Sequence, residues 1–169
     1  MTIKVGDRIP DGKLSESAGW DDASNCPLRP TDVNVADALK GKKIAIFGLP
    51  GAFTPTCSAK HVPSYLANRE QFKAKGVDEV WCVAVNDGYV MQAWGKQEKA
   101  TGKIRMLGDG SGLWTKALGL ELDLTGGGMG LRMKRFSMLA DNGVVKQLNV
   151  EAPGKFEVSG ADTLLKQIG

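Results

Sequence analysis

Cys57 is the residue whose surroundings point most directly to chemistry. It lies in the stretch "FGLPGAFTPTCSAKHVPSYL", residues 47–66, just past Pro50 and Pro55 and where a helical pattern begins. Unpaired backbone N–H groups and the helix dipole favour an anion at such a position, so the nucleophilic thiolate is stabilised there. Thr54 adds a hydroxyl three residues before the sulfur. With hydroxyl residues on both sides, Cys57 is expected to have little apolar cover and to be an activated thiol.

Alternating strand and helix patterns must position this loop. The apolar run "KKIAIFGLP" predicts a buried strand that leads into it, and a helix is predicted from Thr56 or Cys57 to about Lys75, with a kink at Pro63. Two further strand–helix pairs follow, in the segments "VDEVWCVAVNDGYVMQAWGKQEKATG" and "KIRMLGDGSGLWTKALGL". This order predicts parallel strands with helices packed on them.

The two ends of the chain follow other patterns. Near the C-terminus, the dipeptide Asn142-Gly143 separates two β-rich runs and predicts a tight hairpin, after which "VSGADTLLKQI" predicts a closing helix. The N-terminal segment predicts short extended pieces and a helix capped by Asn34. We therefore predict an α/β thioredoxin-like fold over residues 1–169: one domain, a central mixed β-sheet flanked by helices, and an N-terminal extension.

Composition excludes several classes of protein. The chain has 169 residues, a net charge of +3 and scattered basic residues, so nothing predicts a nucleic-acid partner or a membrane surface. It has neither a signal-peptide pattern nor an apolar run long enough to cross a membrane. Three widely spaced cysteines argue against a secreted disulfide scaffold, and one histidine forms no metal cluster. We expect a cytoplasmic protein with no metal and no cofactor.

The loop "PGAFTPTCSAKHVP" resembles the active-site loop of peroxiredoxins, and most closely the type II branch that includes the mammalian fifth peroxiredoxin. The shared core Pro-x-x-x-Thr-x-x-Cys is met by Pro50, Thr54 and Cys57. Similarity continues through "VNDGYVMQAW", "RMKRFSMLADNGVV" and "GKFEVSGADTLLKQI", and so covers nearly the whole chain. The resemblance implies a thioredoxin-like fold and a thiol peroxidase that reduces hydrogen peroxide and organic hydroperoxides.

The resemblance also implies roles for individual residues. Cys57 becomes the peroxidatic nucleophile, Thr54 and Pro50 its pocket, and Arg135 of "KRFSM" a further pocket residue. A lowered thiol pKa raises the reaction rate only a little by itself, because a less basic thiolate is also a weaker nucleophile. The pocket must therefore stabilise the transition state, in which charge moves onto the leaving oxygen. A fixed guanidinium fork at Arg135 and the Thr54 hydroxyl suit that task, while Pro50 shields the site from water.

Other candidate residues have weaker signals. His61 lies four residues after Cys57, near the same helical face, where it fits a supporting contact better than a base. The "TGGGMG" segment lacks the ending of a phosphate loop and is predicted to be a flexible loop beside the active site. Arg132 lies outside the motif and is expected to be solvated.

Two alternative functions remain open at this point. A thioredoxin-like disulfide oxidoreductase would need Cys-x-x-Cys at the helix start, but position 54 is a threonine. A peroxide sensor or redox relay would use the same Cys57 thiol, and the sequence does not separate it from a peroxidase.

The route back from sulfenic acid to thiol is also open. No cysteine follows Cys82, and Cys26 matches no family position that we can place. Cys82 matches a candidate resolving cysteine of plant-like members, but "VWCVAV" predicts a buried strand centre. We therefore favour an external thiol, glutathione with glutaredoxin before thioredoxin. From the resemblance we also expect a homodimer that pairs through a surface near the active-site loop.

Overall fold

A seven-stranded sheet forms the centre of the molecule, and the computed structural model describes all residues from 1 to 169. The strands are β1 Lys13–Glu16, β2 Trp20–Asp21, β3 Cys26–Pro27, β4 Thr31–Asn34, β5 Lys43–Gly48, β6 Glu79–Ala84, β7 Arg105–Gly108, β8 Glu121–Leu124, β9 Gly130–Met133, β10 Phe136–Asp141 and β11 Val144–Val150. The α-helices are α1 Val35–Leu39, α2 Val62–Ala67, α3 Arg69–Ala74, α4 Gly88–Gln97, α5 Leu113–Leu118 and α6 Ala161–Ile168.

The main sheet is mixed, as the sequence predicts. Its strand order is β11-β10-β5-β6-β7-β1-β4. Strands β5, β6 and β7 are parallel, whereas β10 and β11 on one side and β1 and β4 on the other join antiparallel. Helical crossovers connect the parallel strands, so the predicted α/β thioredoxin-like fold is confirmed.

Side chains that alternate along the buried strands make a core on each face of the sheet. In β5, Ala45 and Phe47 point to the face that α2, α3, α4 and α6 cover. Ile44 and Ile46 point to the opposite face, which α1 and α5 cover. Because both faces are buried, these strands read as continuous apolar runs in the sequence. No helix is long and apolar enough to cross a membrane.

The helix after the cysteine loop departs from one continuous α-helix. It opens with a π-helical turn at Cys57–His61, in which the Val62 N–H donates to the Cys57 carbonyl. The helix continues through Pro63 as predicted, and the wide turn accompanies that residue, which has no N–H to donate. The helix then breaks between α2 and α3 at Asn68, whose φ of −105° is not helical.

Turn chemistry explains which hairpins were predictable. Asn142 and Gly143 both have positive φ, 48° and 80°, and join β10 to β11, so the predicted hairpin is confirmed. The glycine-rich segment joins β8 to β9 and contains a short 3-10 turn at Thr125–Gly127. Its flexibility stays a prediction, but the hairpin that it closes was not expected. That hairpin was missed because each of its strands has four residues, too few for a clear period.

Candidate active site

The loop that carries Cys57 follows the carboxyl end of β5 and is tied to the next crossover. The Ala52 N–H donates to Asn86 Oδ1 at 2.9 Å. Phe53 adopts a φ of 63°, which a non-glycine residue takes up at a cost in energy. Residues 55 and 56 are already helical. A proline at the first helical position loses no hydrogen bond, so Pro55 fixes the point where the helix starts.

Cys57 itself lies inside the core. Its exposed fraction is 0%, and its side chain belongs to the apolar cluster between the sheet and α2. The expectation of little apolar cover is therefore wrong. The hydroxyl residues beside Cys57 in the chain do not enclose it, since residues distant in sequence do. Burial keeps bulk water from the sulfur and strengthens every charge–dipole interaction there.

Arg135 brings a fixed positive charge to the sulfur. It lies between β9 and β10, and its Nη2 donates to Cys57 Sγ at 3.1 Å. Its Nη1 is 2.9 Å from His61 Nδ1. The guanidinium carbon also lies 5.9 Å from the centre of the Phe156 ring. The two ends of the guanidinium fork are thus held by different partners, so Arg135 has little freedom to turn away from the sulfur.

The contacts of His61 define its tautomer. Its Nε2 is 3.0 Å from the Ser159 carbonyl, which can only accept, so Nε2 carries the proton. Nδ1 is then free to accept from Arg135. Burial, followed by the charge of Arg135, lowers the pKa of His61 to about 3. His61 is therefore a neutral imidazole that orients Arg135, which agrees with the supporting contact that its spacing suggests.

A buried carboxylate holds the segment that His61 contacts. Glu151 Oε2 accepts from the backbone N–H groups of Glu157, Val158 and Ser159 at 2.8–2.9 Å, and from the Ser159 hydroxyl at 2.7 Å. Burial would raise the pKa of Glu151, but these hydrogen bonds outweigh it and hold the pKa below its ordinary value. Glu151 thus orients the Ser159 carbonyl toward His61. Sequence reasoning missed it because no local pattern connects it with the cysteine loop.

Thr54 and Pro50 lie in the loop where the motif places them, but their contacts differ from the expectation. The Thr54 hydroxyl donates to the Gly51 carbonyl at 2.8 Å and makes no hydrogen bond to the sulfur. Its oxygen can still accept a proton from a bound peroxide. Arg132 is not solvated as predicted. It is half-buried, and its Nη1 donates to the Pro50 carbonyl at 3.1 Å, so β9 fixes the cysteine loop.

A small pocket opens beside the site. Its volume is about 80 Å³, and its lining includes Pro50, Thr56 and Arg135. Neither Cys57 nor Thr54 lines this pocket, and Arg135 is the residue that connects it with the thiol, since Arg135 also donates to the Cys57 sulfur. The volume is large enough for a few water molecules, which suits a small polar ligand.

The remaining cysteines are not paired. All three are free thiols; Cys82 is buried and Cys26 is exposed. Cys82 lies in β6 with its side chain in the same apolar cluster as Cys57, as the strand pattern predicts. Burial, and then the nearby charge of Cys57, raise the pKa of the Cys82 thiol. A thiol with a raised pKa is a poor nucleophile, so the environment of Cys82 does not favour attack on an oxidised Cys57.

Known proteins of similar sequence and structure share this arrangement of elements. Residues 4–165 match the Redoxin family model. Peroxiredoxin-2C of Oryza sativa subsp. japonica is 48% identical over 166 residues, which are 98% of each chain. Reduced Prx3 of Vibrio vulnificus in complex with hydrogen peroxide has 45% identity and a TM-score of 0.89 over 99% of this chain and 100% of that one. Peroxiredoxin 5 of Alvinella pompejana has 36% identity and a TM-score of 0.83, with 98% and 97% covered. A chain with this match, and with a buried thiol under a fixed arginine, belongs to the Redoxin family and is a peroxiredoxin, a thiol-dependent peroxidase of antioxidant function.

Proposed function

We propose that Cys57 is the peroxidatic nucleophile and that Arg135 is its main electrostatic partner. The observation that carries this proposal is the 3.1 Å contact between Arg135 Nη2 and Cys57 Sγ. A guanidinium at hydrogen-bond distance places a positive charge against the sulfur, where it can stabilise negative charge in the transition state.

The first step forms an S–O bond and breaks the O–O bond. The Cys57 thiolate attacks one peroxide oxygen to give a sulfenic acid, and the other oxygen leaves as an alkoxide or hydroxide that takes up a proton. Negative charge moves from the sulfur to the leaving oxygen, and the Arg135 guanidinium can stabilise it on both atoms. The Thr54 oxygen, whose own proton is bound to Gly51, accepts the hydrogen bond of the attacked peroxide.

The burial of Cys57 favours small substrates. The thiol is 0% exposed, and the pocket of about 80 Å³ beside Arg135 has room for hydrogen peroxide or a short organic hydroperoxide. Pro50 lines this pocket and has no N–H to offer a water molecule. We therefore place hydrogen peroxide and small organic hydroperoxides first among the substrates.

An external thiol returns the sulfenic acid to thiol. It attacks Cys57 sulfur, water leaves, and a mixed disulfide forms; a second thiol then releases Cys57. The buried Cys82, with its raised pKa, is poorly placed to compete. We propose glutathione with glutaredoxin as the first reductant and thioredoxin as the second. The free thiols suit a reducing cytoplasm, which is the location we propose.

We also propose a homodimer that pairs at the active-site end of the sheet. Phe53, Tyr89 and Leu113 are 49%, 48% and 70% exposed. They follow β5, β6 and β7, respectively, and the carboxyl ends of these parallel neighbours meet at one edge. Three large apolar side chains exposed at one edge are typical of a surface that another chain covers.

A peroxidase assay with two separate reducing systems tests the reductant. Wild type and Cys82→Ser are each given hydrogen peroxide with glutathione and glutaredoxin, or with thioredoxin and its reductase. Both proteins should turn over with glutathione, and oxidised enzyme should carry glutathione on Cys57. Loss of turnover in Cys82→Ser, together with a Cys57–Cys82 crosslink in oxidised wild type, would show that Cys82 is the resolving residue.

A further inference from the structure

A second cleft lies at the end of the sheet opposite to Cys57. Its volume is about 380 Å³, which is within the range of pockets that bind small molecules. It is formed where β6 and β7 begin, together with α3, α4 and the end of β1. The cysteine loop follows the other end of these parallel strands, and a strand of six residues spans about 20 Å. Nothing bound in this cleft would touch the peroxide site.

The inner wall of the cleft is apolar except for one carboxamide. Phe72, Val80, Ile104 and Met106 line it and are 1–6% exposed. Gln92 lines it too, and its side chain makes no hydrogen bond within the protein. The two polar atoms that are buried without a partner are Trp20 Nε1 and Glu98 Oε1, so the carboxamide of Gln92 reaches solvent in the cleft and is accessible to a ligand there.

The rim of the cleft carries positive charge that the protein does not neutralise. Lys73 and Lys103 line the cleft, are exposed and form no ion pair. Arg69 contacts only its chain neighbour Glu70, at 3.4 Å. One carboxylate of the lining, Asp78, has no cationic partner; its Oδ2 accepts from the backbone N–H of Lys43 at 2.8 Å. These four side chains leave a net positive rim.

Arg105, at the start of β7, does not add to this free charge. Its guanidinium donates to Glu16 at 2.8 Å and 3.0 Å and to Glu79 at 3.0 Å. Glu79 also accepts from Lys42 at 2.7 Å. This network is closed within the protein, so it forms a rigid wall of the cleft, while Lys73 and Lys103 are left to meet a ligand.

We infer that this cleft binds a small organic carboxylate with a flat apolar body and a hydrogen-bonding group at its far end. The carboxylate meets Lys73 and Lys103 at the rim, because exposed ammonium groups attract anions. The apolar body covers the buried wall of Phe72, Val80 and Met106. A hydroxyl at the inner end pairs with the Gln92 amide, which can both donate and accept.

Three related probes separate the contributions. 6-Hydroxy-2-naphthoate has both polar groups, 2-naphthoate lacks the hydroxyl, and 2-naphthol lacks the carboxylate. Each is titrated into the full-length protein, and the side-chain amide of Gln92 is followed by NMR with the backbone amides of Thr101 and Gly102. The first probe should give a saturable shift, and each of the other two should bind about tenfold more weakly, as expected for loss of one paired polar group.

Two variants locate the contacts. In Lys73→Gln/Lys103→Gln, 6-hydroxy-2-naphthoate should no longer bind about tenfold more tightly than 2-naphthol, which lacks the carboxylate. In Gln92→Met, it should no longer bind about tenfold more tightly than 2-naphthoate, which lacks the hydroxyl. Lys116→Gln, on α5 and away from the cleft, should bind like wild type. Peroxide turnover should stay unchanged in all three variants, which shows that they are folded. Absence of a saturable shift up to about 10 mM, equal binding of 2-naphthol, or shifts confined to the cysteine loop would overturn the inference.

Discussion

Acid should destabilise this protein through His61, its only histidine. The imidazole is buried neutral beside Arg135, with its pKa lowered to about 3. In the unfolded chain the same group titrates near pH 6.5, so below that pH the unfolded state binds a proton that the folded state does not. The contribution to stability is fully present above about pH 6.5 and is lost as the pH falls toward 3.

The size of this effect follows from the difference between the two pKa values. At about pH 4 the pH is about 2.5 units below the pKa of the imidazole in the unfolded chain, and each unit corresponds to about 1.36 kcal/mol. His61 should therefore lower the free energy of unfolding by about 3 kcal/mol between neutral pH and pH 4. That is a large share of the free energy of unfolding of a typical folded domain, which is roughly 5–15 kcal/mol.

His61→Asn isolates this contribution from the carboxyl groups that also titrate. Asparagine keeps an oxygen that can accept from Arg135, but it does not titrate. Urea unfolding of both proteins between neutral pH and pH 4 should show wild type losing about 3 kcal/mol more than the variant. Parallel stability curves would refute the reasoning. So would an imidazole NMR signal of the folded wild type that titrates near its ordinary value.

Three further perturbations probe the site and the assembly. Arg135→Ala should slow single-turnover peroxide reduction about a hundredfold or more, and Arg135→Lys should recover only part of the rate because one ammonium cannot replace the fork; a rate within about twofold of wild type would exclude the proposed role. Glu151→Gln should cost about 2–4 kcal/mol of stability at neutral pH, since an amide oxygen accepts fewer and weaker hydrogen bonds than a carboxylate. Because the folded pKa of Glu151 is lowered, this loss should shrink as the pH falls through that pKa, and a gap independent of pH would contradict the assignment. Sedimentation should show a dimer at tens of micromolar protein and a monomer for Phe53→Ser/Leu113→Glu; a wild-type monomer would argue against the proposed surface.

The sequence predicted those features that local patterns determine. Continuous apolar runs identify β5 and β6 because both faces of the sheet are covered. Asn142-Gly143 identifies the hairpin because both residues tolerate positive φ. The position of Cys57 near the start of a helix likewise follows from Pro55, two residues before it.

What the sequence did not predict depends on contacts between distant residues. Cys57 is covered by a core that assembles from several helices, so its burial could not be predicted from the polar residues beside it in the chain. Arg132 is fixed by a hydrogen bond to Pro50, 82 positions away. Glu151 reaches His61 through Ser159, and no periodic pattern links these three residues.

Mass mapping of the sulfenic acid tests the central claim most directly. Reduced wild type is treated with one equivalent of hydrogen peroxide in the presence of dimedone, which alkylates sulfenic acids, and each cysteine peptide is then weighed. We expect the adduct on Cys57 alone, since Arg135 donates to that sulfur and to no other cysteine. Label on Cys26 or Cys82 with Cys57 unmodified would contradict the assignment of Cys57 as the peroxidatic residue.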